Sequence, residues 1–301
     1  MSGTKITISR RGAVKTLVAA TAGVLAAARW SRAVTRIDSV VRGVQIGAQS
    51  YSFRDRPLDA AVKAYQDVGL GQAELWQGHL EPDEEKVGHA ALRAWRLNTP
   101  LSFFREVRTK FDQAGVELYA YNYSFDHSMN DAEIRRGFEM AKAMAVRYIT
   151  ASSNVSLAPA IDKLATEYRI TVGFHGHDDT SDPDQFSTAE TFERALKGAS
   201  RYLAINLDIG HFVAANGDPV AFIKQYHDRI VTLHIKDRKK NHGDNLPFGQ
   251  GQTPIVAVLH LLRDHHWRIP ANIEYEYGKP GMDTVAEVKK CYAYCRQALE
   301  S

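Results

Sequence analysis

The sequence predicts an α/β fold, a single (β/α)8 TIM barrel. Eight short apolar runs alternate with amphipathic stretches over about 260 residues, the number and length of βαβ units in a closed barrel. No Gly-x-Gly-x-x-Gly follows the first run, where an open doubly wound sheet would place its dinucleotide loop. No linker, low-complexity segment or charge run divides the chain after residue 40.

Residues 44–49 form the first strand, followed by a helix over 58–69. The second strand is 72–76, with helices between 83 and 115; the third is 116–121, with a helix over 131–144. The fourth, 146–151, leads to a helix at 157–168, and the fifth, 170–175, to one at 188–197. The sixth, 202–208, precedes a helix at 219–226, and the seventh, 230–235, one at 254–265. The eighth, 271–276, precedes a closing helix over 282–299. Runs this short and apolar suit strands covered on both faces. Residues 243–251, rich in Gly, Asn and Pro, read as a loop after the seventh strand.

With 44% hydrophobic and 24% charged residues, the composition excludes a collagen-like, disordered or multi-span membrane chain. Two cysteines, Cys291 and Cys295, are too few for a disulfide scaffold or a zinc finger. Their i, i+4 spacing on one helix would strain a disulfide, so buried thiols are expected. The net charge of +3 is uneven. Six of 38 Lys and Arg lie in residues 1–33, which hold no acid, leaving 32 bases against 35 acids. That balance argues against a nucleic-acid partner.

Residues 9–15, Ser-Arg-Arg-Gly-Ala-Val-Lys, resemble a twin-arginine export signal. The apolar run over 16–28 is shorter than the roughly 20 residues a membrane span needs. Small residues offer cleavage after Ala28 or Ala33. Residues 1–33 are therefore expected to be a twin-arginine signal peptide, and residues 34–301 the barrel domain. This implies the twin-arginine export machinery as partner, a periplasmic or secreted product and no stable membrane anchor.

Barrels of this class build their sites at the C-terminal ends of the strands. The fifth strand ends in His175-Gly176-His177-Asp178 and the sixth in Leu207-Asp208-Ile209-Gly210-His211. The seventh ends in His234-Ile235-Lys236-Asp237 and the eighth in Glu274-Tyr275-Glu276. Each motif lies about one βα unit from the next, so their side chains can converge on the axis. An Asp and a Glu buried together in one mouth call for a compensating cation. Imidazole with carboxylate suits one divalent ion, Mn, Zn or Co first, with Fe and Mg as further options.

These segments, with Gln49-Ser50-Tyr51-Ser52-Phe53 on the first strand and Glu74-Leu75-Trp76-Gln77-Gly78-His79 on the second, carry a family resemblance. Over roughly residues 44–298 the chain resembles the sugar phosphate isomerase/epimerase superfamily of xylose-isomerase-like TIM barrels, in particular its exported, twin-arginine members. The resemblance implies a carbohydrate substrate and one divalent metal held by Glu, Asp, His and Glu from strands five to eight. Carried over by position, the last three are Asp208, His234 and Glu274. The first falls at His175, a departure, with His177 as the alternative ligand on that strand. In those epimerases two glutamates act as paired acid and base, so the change puts a symmetric proton swap in doubt.

Proton transfer then falls to Glu274 with Lys236 or His177. Lys236, two residues beyond His234, faces the same side; the alternative is an ion pair with a nearby carboxylate. Substrate contacts are expected from Glu74, His79, His211, Tyr51 and Trp76, with Tyr121 as a further stacking surface. Glu276 is placed behind a ligand. The resulting expectation is a metal-dependent isomerase or epimerase that abstracts a proton beside the carbonyl of a sugar or keto-sugar. A lyase acting on a 3-keto-glycoside and a non-catalytic periplasmic carbohydrate-binding barrel are the alternatives, and homo-oligomer formation is left open.

Overall fold

The computed structural model describes residues 34–279 and 281–301; the expected signal peptide over 1–33 lies outside the described residues. Eight parallel strands run β1 (Val44–Gln49), β2 (Gln72–Trp76), β3 (Glu117–Asn122), β4 (Tyr148–Ala151), β5 (Thr171–His175), β6 (Leu203–Asp208), β7 (Ile230–Ile235) and β8 (Ala271–Ile273). Each pairs with its successor in sequence. Ala271 and Ile273 of β8 lie beside Ile46 and Ala48 of β1, which closes the barrel. A short antiparallel arm, Val40–Val41, folds back on β1 through Arg42 and Gly43, both at positive φ, as a tight two-residue hairpin turn requires.

The helices are α1 (Leu58–Val68), α2 (Glu84–Val87), α3 (His89–Asn98), α4 (Leu101–Ala114), α5 (Asp131–Ala143), α6 (Ala158–Tyr168), α7 (Ala189–Leu196), α8 (Ile209–Ala214), α9 (Pro219–Tyr226), α10 (Ile255–Asp264) and α11 (Thr284–Glu300). Their buried faces pack on the outer side chains of the barrel, such as Phe174, Ile205 and Leu233. Local chemistry sets their ends. Asn130 and Glu133 close a capping box at the start of α5. Gly69 and Gly115, both left-handed, end α1 and α4. No helix of the described residues is long and apolar enough to cross a membrane.

Three features were not foreseen. The short helix α8 starts directly at the end of β6, because the Asp208 Oδ1 accepts from the His211 N–H at 2.7 Å. β8 ends at Ile273 rather than 276, since the Tyr275 N–H turns to the Ser52 hydroxyl at 2.9 Å instead of a neighbouring strand. Within residues 243–251, Asn245 and Leu246 pair with Arg238 and Asp237 as a small antiparallel ribbon.

Asp237 holds that loop in place. Its buried carboxylate accepts from the N–H groups of Gly249 at 2.8 Å, Gly251 at 2.9 Å and Thr253 at 3.1 Å. A Cβ at position 251 would lie 2.1 Å from Asp237 Oδ1, so the second donor of this cradle requires glycine. Asp237→Ala is expected to cost roughly 2–3 kcal/mol by orphaning these donors. Urea denaturation and amide exchange at residues 249–253 measure it; unchanged exchange there would contradict the anchoring role.

Candidate functional site

Strand alternation points the side chains of every second residue into the barrel. At the C-terminal end this places His175 of β5, Asp208 of β6, His234 of β7 and, just past β8, Glu274 around one point. One ligating atom from each lies within 4.8 Å of all the others, and all four residues are buried. His175 Nε2 is 3.6 Å from Asp208 Oδ2 and 3.9 Å from Glu274 Oε2. His234 Nδ1 is 3.9 Å from Asp208 Oδ2 and 3.2 Å from Glu274 Oε2. Four donors about 2.1 Å from a shared tetrahedral centre would stand about 3.4 Å apart, so these separations match a single small cation.

The unsatisfied polar atoms point the same way. Both ring nitrogens of His175 and Oδ2 of Asp208 are buried without a hydrogen bond, an expensive arrangement unless a further partner binds there. Lys236 Nζ stands 3.1 Å from that Oδ2 without the alignment of a hydrogen bond. The residues present therefore fit a divalent ion.

His234 is oriented from beneath. Its Nε2 faces Glu74 Oε2 at 3.0 Å, and its Nδ1, on the mouth side, faces Glu274 Oε2 at 3.2 Å. Glu74 also accepts from Gln49 Nε2 at 2.9 Å, Thr150 Oγ1 at 2.6 Å and Asn272 Nδ2 at 3.3 Å. A carboxylate behind a ligating imidazole is a common means of fixing its tautomer and raising its basicity. Asn206 Nδ2 also lies 3.1 Å from His234 Nε2, and ladder irregularities fall immediately before two of these inward residues, between Ala73 and Glu74 and between Ile205 and Asn206. Such bulges re-aim side chains near sites.

Lys236 sits at the centre of the acidic side. Its Nζ is 2.8 Å from Glu274 Oε2, 2.6 Å from Glu276 Oε2 and 2.9 Å from His211 Nε2. The other ring nitrogen of His211, Nδ1, faces Arg238 Nη1 at 2.6 Å and Asp178 Oδ1 at 3.3 Å. Arg238 Nη1 pairs with the same carboxylate at 2.8 Å.

The charges reinforce one another. Burial would raise Asp208 and Glu274, but Lys236, joined by His211 and His234 respectively, holds both well below the usual carboxylate range. Burial would lower Lys236 and His234, yet carboxylates keep both above their ordinary values: Asp208 and Glu274 for the lysine, Glu74 and Glu274 for the imidazole. Burial lowers His175, in keeping with the neutral form a ligand requires. Burial and neighbouring His175 push His177 down to about 3.

A cavity of about 210 Å³ opens above these groups, lined among others by Tyr51, Trp76, His177, His211 and Glu276. Tyr51 and Trp76 meet edge to face, 4.9 Å between ring centres. His177 Nε2 pairs with Ser152 Oγ at 2.9 Å. Three expectations need correction. Glu74 is wholly buried, two residues before the end of β2 and so about 6.6 Å deeper than the strand end; it stands behind His234 rather than among the residues that line the mouth. His79 hydrogen-bonds Ser50 O at 2.9 Å and lines a separate cleft with Arg96 and Glu81. Tyr121 alternates outward and is fully buried.

The sequence reading passes over Asn122 and Ser152, which line the mouth from the ends of β3 and β4. The strand-end rule already applied to strands five to eight points to both. It also passes over Asp178 as the partner of His211, a contact between loops that no spacing rule supplies.

The family model described as xylose isomerase-like TIM barrel matches residues 62–295. An inosose dehydratase of Bacillus velezensis is 32% identical over 80 residues, 26% of each chain, so the likeness spans about a quarter of that relative. A probable 3-DHS dehydratase, AsbF, of Bacillus anthracis superposes with a TM-score of 0.63 at 16% identity, over 83% of this chain and 99% of its own. The IOLI protein, solved with a bound zinc atom, superposes with a TM-score of 0.60 at 14% identity, over 85% of this chain and 96% of its own. At these identities the structural likenesses are likenesses of fold.

Proposed function

The chain belongs to the xylose isomerase-like TIM barrel family, and from that premise we propose that it is a metal-dependent enzyme moving a proton beside the carbonyl of a sugar or keto-sugar. The observation that carries this is the convergence of His175, Asp208, His234 and Glu274 on one point, with both His175 ring nitrogens and Asp208 Oδ2 left without a hydrogen bond. These four would hold one divalent ion, Zn, Mn or Co, which supplies Lewis acidity toward a carbonyl oxygen.

The chain's own groups carry the protons. Glu276 lies in the mouth outside the four-residue ligand set, and with Lys236 Nζ 2.6 Å away it forms a carboxylate–ammonium pair facing the cavity. In this reading Glu274 or Glu276 takes the proton from carbon, and Lys236 hydrogen-bonds the oxygen where negative charge grows. His177 and His211 position hydroxyl groups, while Tyr51 and Trp76 cover the ring. Export of the folded chain to the periplasm by the twin-arginine machinery belongs to the same proposal and rests on residues 9–15.

One observation favours a second reading, elimination from a 3-keto-glycoside. His175 stands where a second glutamate would serve a symmetric swap, and the Lys236–Glu276 pair offers an ammonium to protonate a leaving oxygen. Metal-loaded protein in heavy water, incubated with keto-sugars and 3-keto-glycosides, separates the readings. Deuterium entering beside the carbonyl with the carbon skeleton intact is the expected result for an isomerase or epimerase. The same exchange with release of the substituent marks a lyase. Sugar binding with no exchange under any of the three metals would leave only a binding barrel.

A further inference from the structure

The largest cavity described, about 600 Å³, lies beside the mouth rather than in it. It opens on the same C-terminal end of the barrel, between the ribbon loop after β7, the segment after β8 and α11. Asn245, Phe248, Tyr277, Met282, Cys291 and Tyr294 are among its walls. Phe248 and Tyr294 meet edge to face in its wall, ring centres 5.9 Å apart, and Gln250, Lys279, Glu287 and Lys290 stand among the polar residues around them. The Tyr277 hydroxyl is tied to Glu287 Oε2 at 3.2 Å and to Cys291 Sγ at 3.4 Å. Asp237 anchors the loop that carries Phe248, so the wall is pre-formed.

Two features place this cavity beside the mouth. Asn245 Nδ2 donates to Glu276 Oε2 at 3.4 Å, while Asn245 Oδ1 is buried without a partner. Tyr277 directly follows Glu276 in the chain. The mouth, at about 210 Å³, falls below the roughly 300–1,000 Å³ of ordinary small-molecule pockets, and the outer cavity falls within that range. A ligand that fills both has a small polar part over the charged cluster and a larger apolar part outside it.

We propose that the outer cavity is the subsite for an aromatic or apolar aglycone, so that the substrate class is a glycoside rather than a free monosaccharide. The proposal rests on the sugar reading given above. Asn245 would donate to or accept from the bridging oxygen region, and Phe248, Tyr277 and Tyr294 would enclose the aglycone.

Calorimetric titration of the zinc-loaded full chain with phenyl and methyl 3-keto-β-D-glucopyranoside tests it, with Phe248→Ala, Tyr294→Ala and Asp208→Asn alongside. The expected result is at least tenfold tighter binding of the phenyl glycoside, with the ratio falling to within threefold in either aromatic variant. Equal affinity for the two glycosides overturns the subsite and leaves the sugar reading standing. A preference for phenyl that persists in both aromatic variants also overturns it. Binding of benzyl alcohol as tight as that of the phenyl glycoside, and insensitive to Asp208→Asn, overturns the sugar reading and with it the link between the cavities. No binding of either glycoside overturns both.

Discussion

Asp208→Asn is expected to strip the divalent ion from the protein while leaving the fold intact. Metal analysis after dialysis should fall from about one ion per chain to a small fraction of that, with affinity lower by ~100-fold or more, above the range seen for loss of a supporting partner alone. Proton exchange at carbon should fall by roughly 10²–10³-fold, the scale on which one electrostatic stabiliser of a transition state acts. Asparagine suits this test because Asp208 has two tasks. Its Oδ1 caps α8 through the His211 N–H, and an asparagine carbonyl does this as well. Its Oδ2, buried without a hydrogen bond among His175, His234 and Lys236, is the atom that changes charge. Asp208→Ala would remove both functions and add about 1 kcal/mol from the lost cap. His175→Ala should lower metal content in the same assay. Full metal occupancy in both Asp208→Asn and His175→Ala would refute the ligand set.

The barrel was legible because its signal is repetitive: a short apolar run, then a helical period, eight times over. The motifs at the ends of β5, β6 and β7 were legible for a related reason, since His175, Asp208 and His234 stand at or just before a strand's last residue and must face the mouth or the helices. Depth was not legible. Glu74 and Trp76 share a face of β2, and only the closed barrel shows that the first lies in a sealed layer and the second at the rim. Nor does a sequence show how loops meet. Asp178, His211 and Arg238 come from three different βα units, and Glu276 reaches Lys236 because β8 stops early and frees its backbone to turn. The ion pairing of Lys236, weighed as an alternative to a catalytic role, is present in the structure. Three carboxylates within 3.1 Å make it a structural counter-charge, and that position is also what brings it to the mouth.

The buried layer beneath the mouth leads to the second large effect, at Glu74. Barrel interiors are usually filled by branched aliphatic side chains, yet here Gln49, Glu74, Thr150, Asn206, Thr232 and Asn272 are all buried. Glu74 is the acceptor on which Gln49, Thr150, Asn206 and Asn272 converge, and its removal strands donors in a place water does not reach. Glu74→Leu leaves Gln49 Nε2, Thr150 Oγ1, Asn272 Nδ2 and His234 Nε2 without that acceptor. At the scale of a broken buried network it should cost roughly 3–5 kcal/mol in urea denaturation, a large share of a typical domain's stability of about 5–15 kcal/mol. Glu74→Gln separates stability from function. It keeps the volume and one acceptor oxygen, so its stability loss should stay under about 2 kcal/mol. However, it replaces the charge behind the His234 imidazole, and metal affinity should fall by ~10–100-fold. If Glu74→Gln instead binds metal as tightly as the wild type, His234 does not depend on this carboxylate for its orientation. Glu74 would then be a packing solution for the polar layer alone. If affinity falls while stability holds, the polar interior is explained: the barrel accepts a buried charge because that charge fixes a ligand one layer above it.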